Sequence, residues 1–391
     1  MTTSTSPPWS PPSSLYLHIP FCPYKCPYCD FATHVGKPGL VQPYVDALCL
    51  ELDRMARDYA GYRLETVFLG GGTPGMLLPA QVEQILVAVE RSFGIEKGAE
   101  ISIETNPDTI DPERMAGFKT AGINRISIGV QSLDRDELKL LGRGHSPDAV
   151  ADSVGAARAA GFENLSLDLI YGVQLQTMTS WLATLRGAIA LEPDHFSLYS
   201  LIVEPKTPYF RLNATGQLQL PEDDLVADMY LAACDVLAQA DFVHYEVANW
   251  ARPGFESRHN RTYWRNEQFL AAGVGAYDYL RPYRSVRVRS SKRYIDRMTA
   301  GQSVIAQRDL ATPEIERFET AVMGLRLLGE GLVRERFNRR FAEGLDAVYG
   351  PTIRDLEDVG FLWDDGQTVR LLEDKVPLAN EAWERFLPPS G

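Results

Sequence analysis

Up to about Pro205 the chain repeats one rhythm: a short apolar run, a turn signal, then a helical pattern. The apolar runs are Leu15–Pro20, Thr66–Leu69, Ile101–Glu104, Arg125–Val130, Leu165–Ile170 and Phe196–Leu201. They are nearly continuous in Ile, Val, Leu and Phe, as expected of strands buried on both faces. Between them, Pro43–Tyr59, Pro79–Phe93, Pro112–Ala121, Ser146–Ala160 and Thr179–Leu191 carry helical periodicity. Several open on proline, or on an Asp, Ser or Thr that suits a helix start. Strand alternating with helix predicts an α/β fold with a parallel sheet. About six such units predict a partial (β/α) barrel or an open doubly wound sheet, and in both the ligand lies at the strands' C-terminal ends.

That rule directs attention to the residues just after each run. Cys22, Cys26 and Cys29 come after the first, and Gly70-Gly71-Gly72-Thr73-Pro74 after the second. Glu104-Thr105-Asn106-Pro107 ends the third, Gln131-Ser132 the fourth; Asp168 sits inside the end of the fifth, before Tyr171-Gly172, and Glu204-Pro205 comes after the sixth. Six such ends on one face make a stronger case for a site than any one motif.

Beyond Pro205 the rhythm breaks. An acidic amphipathic helix, Pro221–Ala240, leads to an aromatic, polar stretch, Tyr245–Trp264, then to Gly273-Val274-Gly275-Ala276 and a basic run, Arg281–Arg293. From roughly Gly301, helical patterns at Glu314–Leu328, Leu332–Ala342 and Thr352–Val359 precede a hairpin, Phe361–Trp363 and Val369–Leu372, with Asp365-Gly366 at its turn. This order suggests a compact winged-helix-like unit. The expected division is a disordered Ser/Thr/Pro-rich terminus over 1–13, the barrel with its extension over 14–300, and a helical/winged domain over 301–391.

Size and charge narrow the class. A chain of 391 residues with 45% hydrophobic content supports a large core plus a smaller unit. The net charge of −13 argues against general nucleic-acid binding. No stretch approaches the roughly 18 consecutive apolar residues of a membrane span, and the N-terminus lacks the apolar core of a secretory signal. Five cysteines, an odd number with three clustered, do not make a disulfide framework and point to the reducing cytosol.

The cysteines carry the chemistry. Three thiolates spaced C-x3-C-x2-C on one short loop can hold three irons of a four-iron cluster and leave the fourth iron open. The same loop with His34 makes a Cys3His zinc set, so zinc stays open from the loop alone. Cys49 and Cys234 lie in apolar helical patterns and read as small core residues. The triple glycine lets the backbone approach a ligand, although it lacks the spacing of a P-loop or dinucleotide fingerprint, and a tight turn is the plain alternative. Glu104 and Asp168 are acids suited to amino or ribose hydroxyl groups, with Gln131 and Arg143 to complement them; a structural ion pair is the plain alternative.

The strings Tyr16-Leu-His-Ile-Pro-Phe-Cys22, Cys26, Tyr28-Cys29-Asp30-Phe31, Gly70-Gly-Gly-Thr-Pro74, Arg125-Ile-Ser-Ile-Gly-Val-Gln131-Ser132 and Asp168-Leu-Ile-Tyr-Gly172 resemble the radical SAM superfamily, within it the coproporphyrinogen-oxidase-like branch. The resemblance covers most of the chain. It implies a partial (β/α)6 radical SAM barrel with a small C-terminal helical/winged-helix-like domain. It also implies a [4Fe–4S] cluster on Cys22, Cys26 and Cys29, with S-adenosylmethionine (SAM) on the open iron. Tyr16, Tyr28, Gly71, Gly72, Thr73, Glu104, Gln131, Arg143 and Asp168 would surround the SAM, and the radical chemistry would belong to the cofactor.

Two features choose within the branch. The oxygen-independent coproporphyrinogen oxidases carry a further cysteine two residues after the third cluster ligand; here that position is Phe31. His259-Asn260-Arg261-Thr262-Tyr263-Trp264, an H-N-x-x-Y-W string, is similar to the signature of HemW-type heme chaperones, as is Gly273-Val-Gly-Ala276. The resemblance therefore implies heme binding through His259, Asn260, Tyr263 and Trp264 and delivery to respiratory heme proteins, with oxidase activity disfavoured and SAM turnover open. From the residues alone, this segment reads rather as a packed, hydrogen-bonded aromatic cluster. The basic run reads as a half-exposed strand with a solvated face, or as a contact for heme propionates or an anionic membrane surface; a homodimer is left open. One departure stands out: Tyr171-Gly-Val-Gln-Leu-Gln-Thr177 replaces the usual Tyr-Gly-Leu-Pro-Gly-Gln-Thr, which alters the turn after Asp168.

Overall fold

A computed structural model describes residues 9–59 and 61–388. The six apolar runs form parallel strands β1 (Ser14–Ile19), β2 (Leu64–Gly71), β3 (Ile95–Thr105), β4 (Arg125–Gln131), β5 (Asn164–Tyr171) and β6 (His195–Ser200). Helices α1 (Val41–Met55), α2 (Pro79–Phe93), α3 (Pro112–Ala121), α4 (Arg135–Leu140), α5 (Pro147–Ala159) and α6 (Met178–Ile189) lie between them. Proline at the first helical turn and capping side chains set several starts: Asp111 accepts from Arg114 N, Ser146 from Ala149 N and Thr177 from Ser180 N.

Both strand faces are buried, as expected, but they are not alike. Leu15, Leu17, Val67, Leu69, Ile103, Ile126, Ile128, Leu165, Leu167 and Phe196 are fully buried, and they belong to the apolar core shared with the helices. Each such side chain contributes about 1.5–3 kcal/mol relative to exposure. The alternate positions are polar and point into the barrel. The register places Glu104, Ser127, Ser166 and His195 in one row, and Gly129, Asp168 and Ser197 in the next. The sheet is therefore a barrel wall with a polar lining, which the apolar content of the runs had masked.

After β6 come α7 (Pro208–Ala214), α8 (Asp223–Gln239), β7 (Val243–Glu246), β8 (Asn249–Ala251), α9 (Arg258–Trp264) and β9 (Leu270–Ala272). The sheet reads β7-β8-β6-β5-β4-β3-β2-β1-β9, so residues distant in sequence close both of its flanks. β9 runs parallel to β1, pairing Leu15 with Leu270 and Leu17 with Ala272. The turn after it is pinned from two sides. Gly273 has φ +100, and a Cβ there would meet His18 O and Tyr44 Oη at 2.6 Å. Its N–H donates to buried Glu51 of α1 at 2.9 Å, which also accepts from Arg287 Nε at 2.9 Å and Tyr294 Oη at 2.5 Å.

A small antiparallel sheet comes next, β10 (Tyr277–Leu280), β11 (Tyr283–Arg287) and β12 (Ile305–Leu310), interrupted by α10 (Ser291–Thr299). β12 pairs with β11, so a division at 300/301 would cut this sheet. The C-terminal unit starts instead at α11 (Pro313–Leu325), followed by β13 (Leu332–Val333), α12 (Arg334–Arg340), α13 (Leu345–Asp358), β14 (Leu362–Asp364), β15 (Thr368–Leu371) and α14 (Ala379–Glu384). The β13-β15-β14 sheet against three helices has the order of a winged helix. The basic run is only partly solvated: Arg289, Lys292 and Arg293 are exposed, whereas its strand portion is paired with acids. Arg281 pairs with Glu316 at 2.5 Å, Arg284 with Glu319 at 2.5 Å, and Arg287 with Glu51 and Asp278 at 2.9 and 2.5 Å.

The expected disordered terminus is corrected in part. Residues 1–8 lie outside the described residues, but Trp9 is buried, with edge contacts to Tyr279 and Phe341 and the guanidinium groups of Arg281 and Arg340 at 4.3 and 4.5 Å from its ring. Among the described residues no helix is long and apolar enough to cross a membrane.

Candidate functional site at the strand ends

The loop after β1 is held to the barrel by its backbone. Cys22 N donates to His34 O at 3.0 Å, His34 N to Pro20 O at 2.6 Å, and Cys29 N to Cys26 O at 3.2 Å. Side chains fasten it further: Lys25 Nζ donates to Phe31 O, and Arg289 Nη2 donates to Asp30 O at 2.9 Å. All three cysteines are free thiols, and burial pushes Cys22 and Cys29 above their ordinary range.

A chain of hydrogen bonds joins two of these thiols across the strand ends. Thr73 Oγ1 donates to Cys22 Sγ at 3.7 Å, and Asn106 Nδ2 donates to Thr73 Oγ1 at 3.1 Å. Arg143 Nη2 donates to Asn106 Oδ1 at 2.6 Å and to Gly129 O at 2.9 Å, while its Nη1 donates to Cys26 Sγ at 3.7 Å. Asn106, absent from the expected site, is thus its central link. The signal for it was its place directly after the third apolar run, before Pro107.

The glycines are needed for close approach. Gly71 has φ +108, and a Cβ there would lie 2.4 Å from the His18 ring; one on Gly72 would lie 2.7 Å from Phe21 O. Gly71 N donates to Glu104 Oε2 at 3.0 Å. Gln131 also takes a left-handed φ of +67, at a register shift between β4 and β5. Its amide lies over Gly129, where a Cβ would meet Gln131 Nε2 at 2.8 Å and Asn106 Oδ1 at 2.9 Å.

Deeper in the barrel the two acids share one hollow. Burial, reinforced by Asp168, raises Glu104 to about 7. Burial also raises Asp168, opposed by hydroxyls: Ser127 Oγ donates to both of its oxygens at 3.0 and 2.9 Å, and Ser166 Oγ donates at 3.3 Å. Tyr16 lies beneath, its hydroxyl 3.1 Å from His18 Nδ1 and its ring stacked on Phe68. The serines were not foreseen; their signal was the polar alternation within the runs.

The expected cofactor residues therefore come together: Cys22, Cys26, Cys29, Tyr28, Gly71, Gly72, Thr73, Glu104, Gln131, Arg143 and Asp168 at the strand ends, with Tyr16 below. The residues fit a cluster better than zinc. One zinc about 2.3 Å from each sulfur needs thiolates within about 4 Å of one another. The three loop sulfurs do not converge within 4.8 Å, and His34 does not join them. Among the described residues, Arg143 Nε and Tyr24 Oη are buried without partners beside the loop, leaving donors for a ligand carboxylate.

The H-N-x-x-Y-W segment lies elsewhere. It forms α9, whose first N–H groups, Arg258 and His259, donate to Glu100 at 3.1 Å each. His259 is 1% exposed. Its Nδ1 bonds Thr66 Oγ1 at 2.7 Å, its Nε2 bonds Tyr263 Oη at 2.8 Å, and its ring stacks on Phe68. Thr66 pairs with Ser14, the first residue of β1, whereas the cysteine loop comes after its last; at ~3.3 Å per residue those ends lie about 17 Å apart. His259 and Tyr263 thus form the barrel floor, with both imidazole nitrogens engaged. Asn260 is half-buried on the same helix, and Arg326 covers the ring of Trp264 at 4.2 Å.

The altered loop after Asp168 forms a turn with a left-handed residue although it lacks Pro-Gly. Leu175 stands where the family pattern has glycine and adopts φ +62, while Gln176 Nε2 donates to buried Glu137 at 3.0 Å.

Comparisons with known proteins agree with this geometry. Residues 16–187 match the model of the Radical SAM superfamily. The chain is 35% identical to the heme chaperone HemW of Bacillus subtilis over 96% of this chain and 99% of that protein, and 35% identical to HemW of Escherichia coli over 81% and 83%. The structure of coproporphyrinogen III oxidase from Escherichia coli superposes with a TM-score of 0.83 at 24% identity, covering 97% of this chain and 90% of that one, a likeness of fold. A [4Fe–4S] cluster and SAM follow from the superfamily, and this chain belongs to the HemW family of radical SAM proteins.

Proposed function

We propose that this protein binds heme in the cytosol and hands it to respiratory heme proteins, its cluster and SAM site serving that task. The observation that carries the reading is the near full-length similarity to proteins named heme chaperones. When bound, the cluster and SAM supply one-electron chemistry. The chain's own residues would hold that pair: Arg143 and the Gly71–Thr73 backbone toward a carboxylate and amine, Glu104 and Asp168 toward amino or hydroxyl groups.

We place the heme at the mouth of the barrel. Phe31, 59% exposed, stands between two cations, Lys25 and Arg289, that fasten the backbone around it. Ile202 and Phe210 are also exposed, and α7 packs on the same loop through Tyr209 N to Pro27 O at 3.0 Å. An apolar rim with adjacent cations suits a flat macrocycle bearing carboxylates. In this reading α9 is the barrel floor, and His259 positions rather than ligates.

Anaerobic reconstitution followed by heme titration and transfer to an apo heme protein tests the function. Stoichiometric heme binding and transfer are expected, and Phe31→Ala or Arg289→Ala should weaken heme binding at least fivefold with iron content unchanged. A cluster-loaded protein that leaves the heme Soret band unshifted would refute the reading. Decarboxylation of coproporphyrinogen would replace it with an oxidase.

A further inference from the structure

One cluster of ligand-type side chains lies far from the site described above. Cys234 on α8, His244 on β7 and Glu373, just after β15, bring one donor atom each to within 4.8 Å of one another. His244 Nδ1 lies 2.7 Å from Glu373 Oε1 and 4.0 Å from Cys234 Sγ. Among the described residues it is the only such group of three or more His, Cys, Asp or Glu.

The imidazole is held in one orientation. It stacks flat on Trp250, centroids 4.0 Å apart and planes 9° apart, and Tyr230 meets it edge-on. The Tyr230 hydroxyl donates to Val247 O at 3.0 Å, so its oxygen is left to accept from His244 Nε2 at 3.2 Å. That arrangement puts the ring proton on Nε2 and turns the Nδ1 lone pair toward the thiol and the carboxylate. Two electron-rich atoms 2.7 Å apart require a proton or a metal cation between them. Metal-ligating histidines are typically fixed in this way, through the ring nitrogen that does not touch the metal.

We propose that Cys234, His244 and Glu373 form a binding site for a borderline-soft divalent cation of the zinc type, with water as fourth ligand. The donor set is suitable, since thiolate, imidazole and carboxylate are the zinc ligands of proteins. Tetrahedral bonds of about 2.3 Å to sulfur and about 2.0 Å to nitrogen and oxygen separate S from N by about 3.5 Å and N from O by about 3.3 Å. Cys234 Sγ and His244 Nδ1 are already near the first spacing. Glu373, 55% exposed on its side chain, is free to widen the second. Because His244 sits on the outermost strand of the barrel sheet and Glu373 lies just beyond the C-terminal hairpin, the ion would join the two units of the chain.

The test uses the full-length, cluster-reconstituted protein, so that the cysteine loop is filled. Zinc is titrated in competition with a chromophoric chelator, and bound zinc and iron are counted by mass spectrometry. The wild type should bind one zinc per chain beyond its iron and melt at higher temperature with zinc present. Cys234→Ser and Glu373→Gln should each weaken zinc at least tenfold and abolish the melting shift, while Cys49→Ser leaves both unchanged. Glu373→Gln replaces a half-exposed side chain by one of the same shape, so it separates lost ligation from lost folding. Absence of zinc binding in the wild type, or wild-type affinity in both variants, would overturn the proposal.

Discussion

Replacing His259 by Ala separates a structural floor from a heme ligand. The imidazole is buried, bonded on both nitrogens and stacked on Phe68 at 5.1 Å. Its loss leaves the hydroxyls of Thr66 and Tyr263 facing a void, at about 1–3 kcal/mol for each unpaired group. The void adds its own cost, so the expected destabilisation is about 3–5 kcal/mol. Urea unfolding of the anaerobically purified protein, followed by circular dichroism, reads this as a lower midpoint. His259→Gln, which can both donate and accept, should recover at least about 1 kcal/mol. Heme titrated into the folded variant below its transition should give the wild-type absorption maximum and an affinity within threefold. A variant that unfolds with wild type but loses or shifts the Soret band would refute the floor assignment and make His259 an iron ligand.

Three further outcomes rest on the same geometry. Asn106→Ala removes a 2.6 Å bond to a guanidinium and a 3.1 Å bond to Thr73; charged hydrogen bonds contribute about 1.5–3 kcal/mol, so SAM affinity measured by calorimetry on the cluster-loaded protein should fall about tenfold, and unchanged affinity would discount the link. Leu175→Gly relieves a left-handed leucine that is 62% exposed, and should stabilise by up to about 1 kcal/mol, seen as a higher melting temperature; a lower one would refute the strain. Burial holds His18 and His145 at about 4 and His259 at about 3. Folded values below an unfolded value of about 6.5 keep this contribution whole above pH 6.5 and remove about 1.4 kcal/mol per pH unit for each group as pH falls toward 4. Glu104, raised to about 7, acts in the opposite sense below pH 7. Burial also raises Asp168 and Glu246, which act with Glu104, and lowers His34 and His195, which act with the other histidines. Five histidines outweigh three carboxyls, so the urea midpoint should drop between pH 6.5 and 5; a flat profile would contradict their burial as neutral rings.

The candidate site was legible because the strand ends gather residue types with few other uses: three cysteines in one loop, three glycines in a row, acids closing apolar runs. The helix limits Pro79–Phe93 and Pro112–Ala121 were also readable, since proline and Asp111 mark their starts and Gly94 and Gly122 their ends. The lining of the barrel was not. A serine within an apolar run looks like tolerance until the register places Ser127, Ser166 and Ser197 around Asp168. Asn106 was passed over because a strand end and a helix cap ask for the same residue. His259–Trp264 shows a different limit, since a motif fixes residue identity but not the end of the barrel it reaches. The pairing of Arg281, Arg284 and Arg287 within the basic run was not legible, because most of their acidic partners, Glu316, Glu319 and Glu51, are distant in sequence.

The order of the sheet also bears on how the chain is made. β1 is synthesised long before β9, the strand that meets one of its edges. The floor helix that Glu100 caps is likewise synthesised long after β3. At roughly 5–20 residues per second, the interval between Ile19 and Ala272 lasts about 13–50 s. Throughout that time the first strand has an unpaired edge beside a loop of three free thiols. Nascent chains of this protein are therefore most open to aggregation and thiol oxidation before residue 272 emerges, and a truncation that stops short of β9 should be recovered mainly in the insoluble fraction.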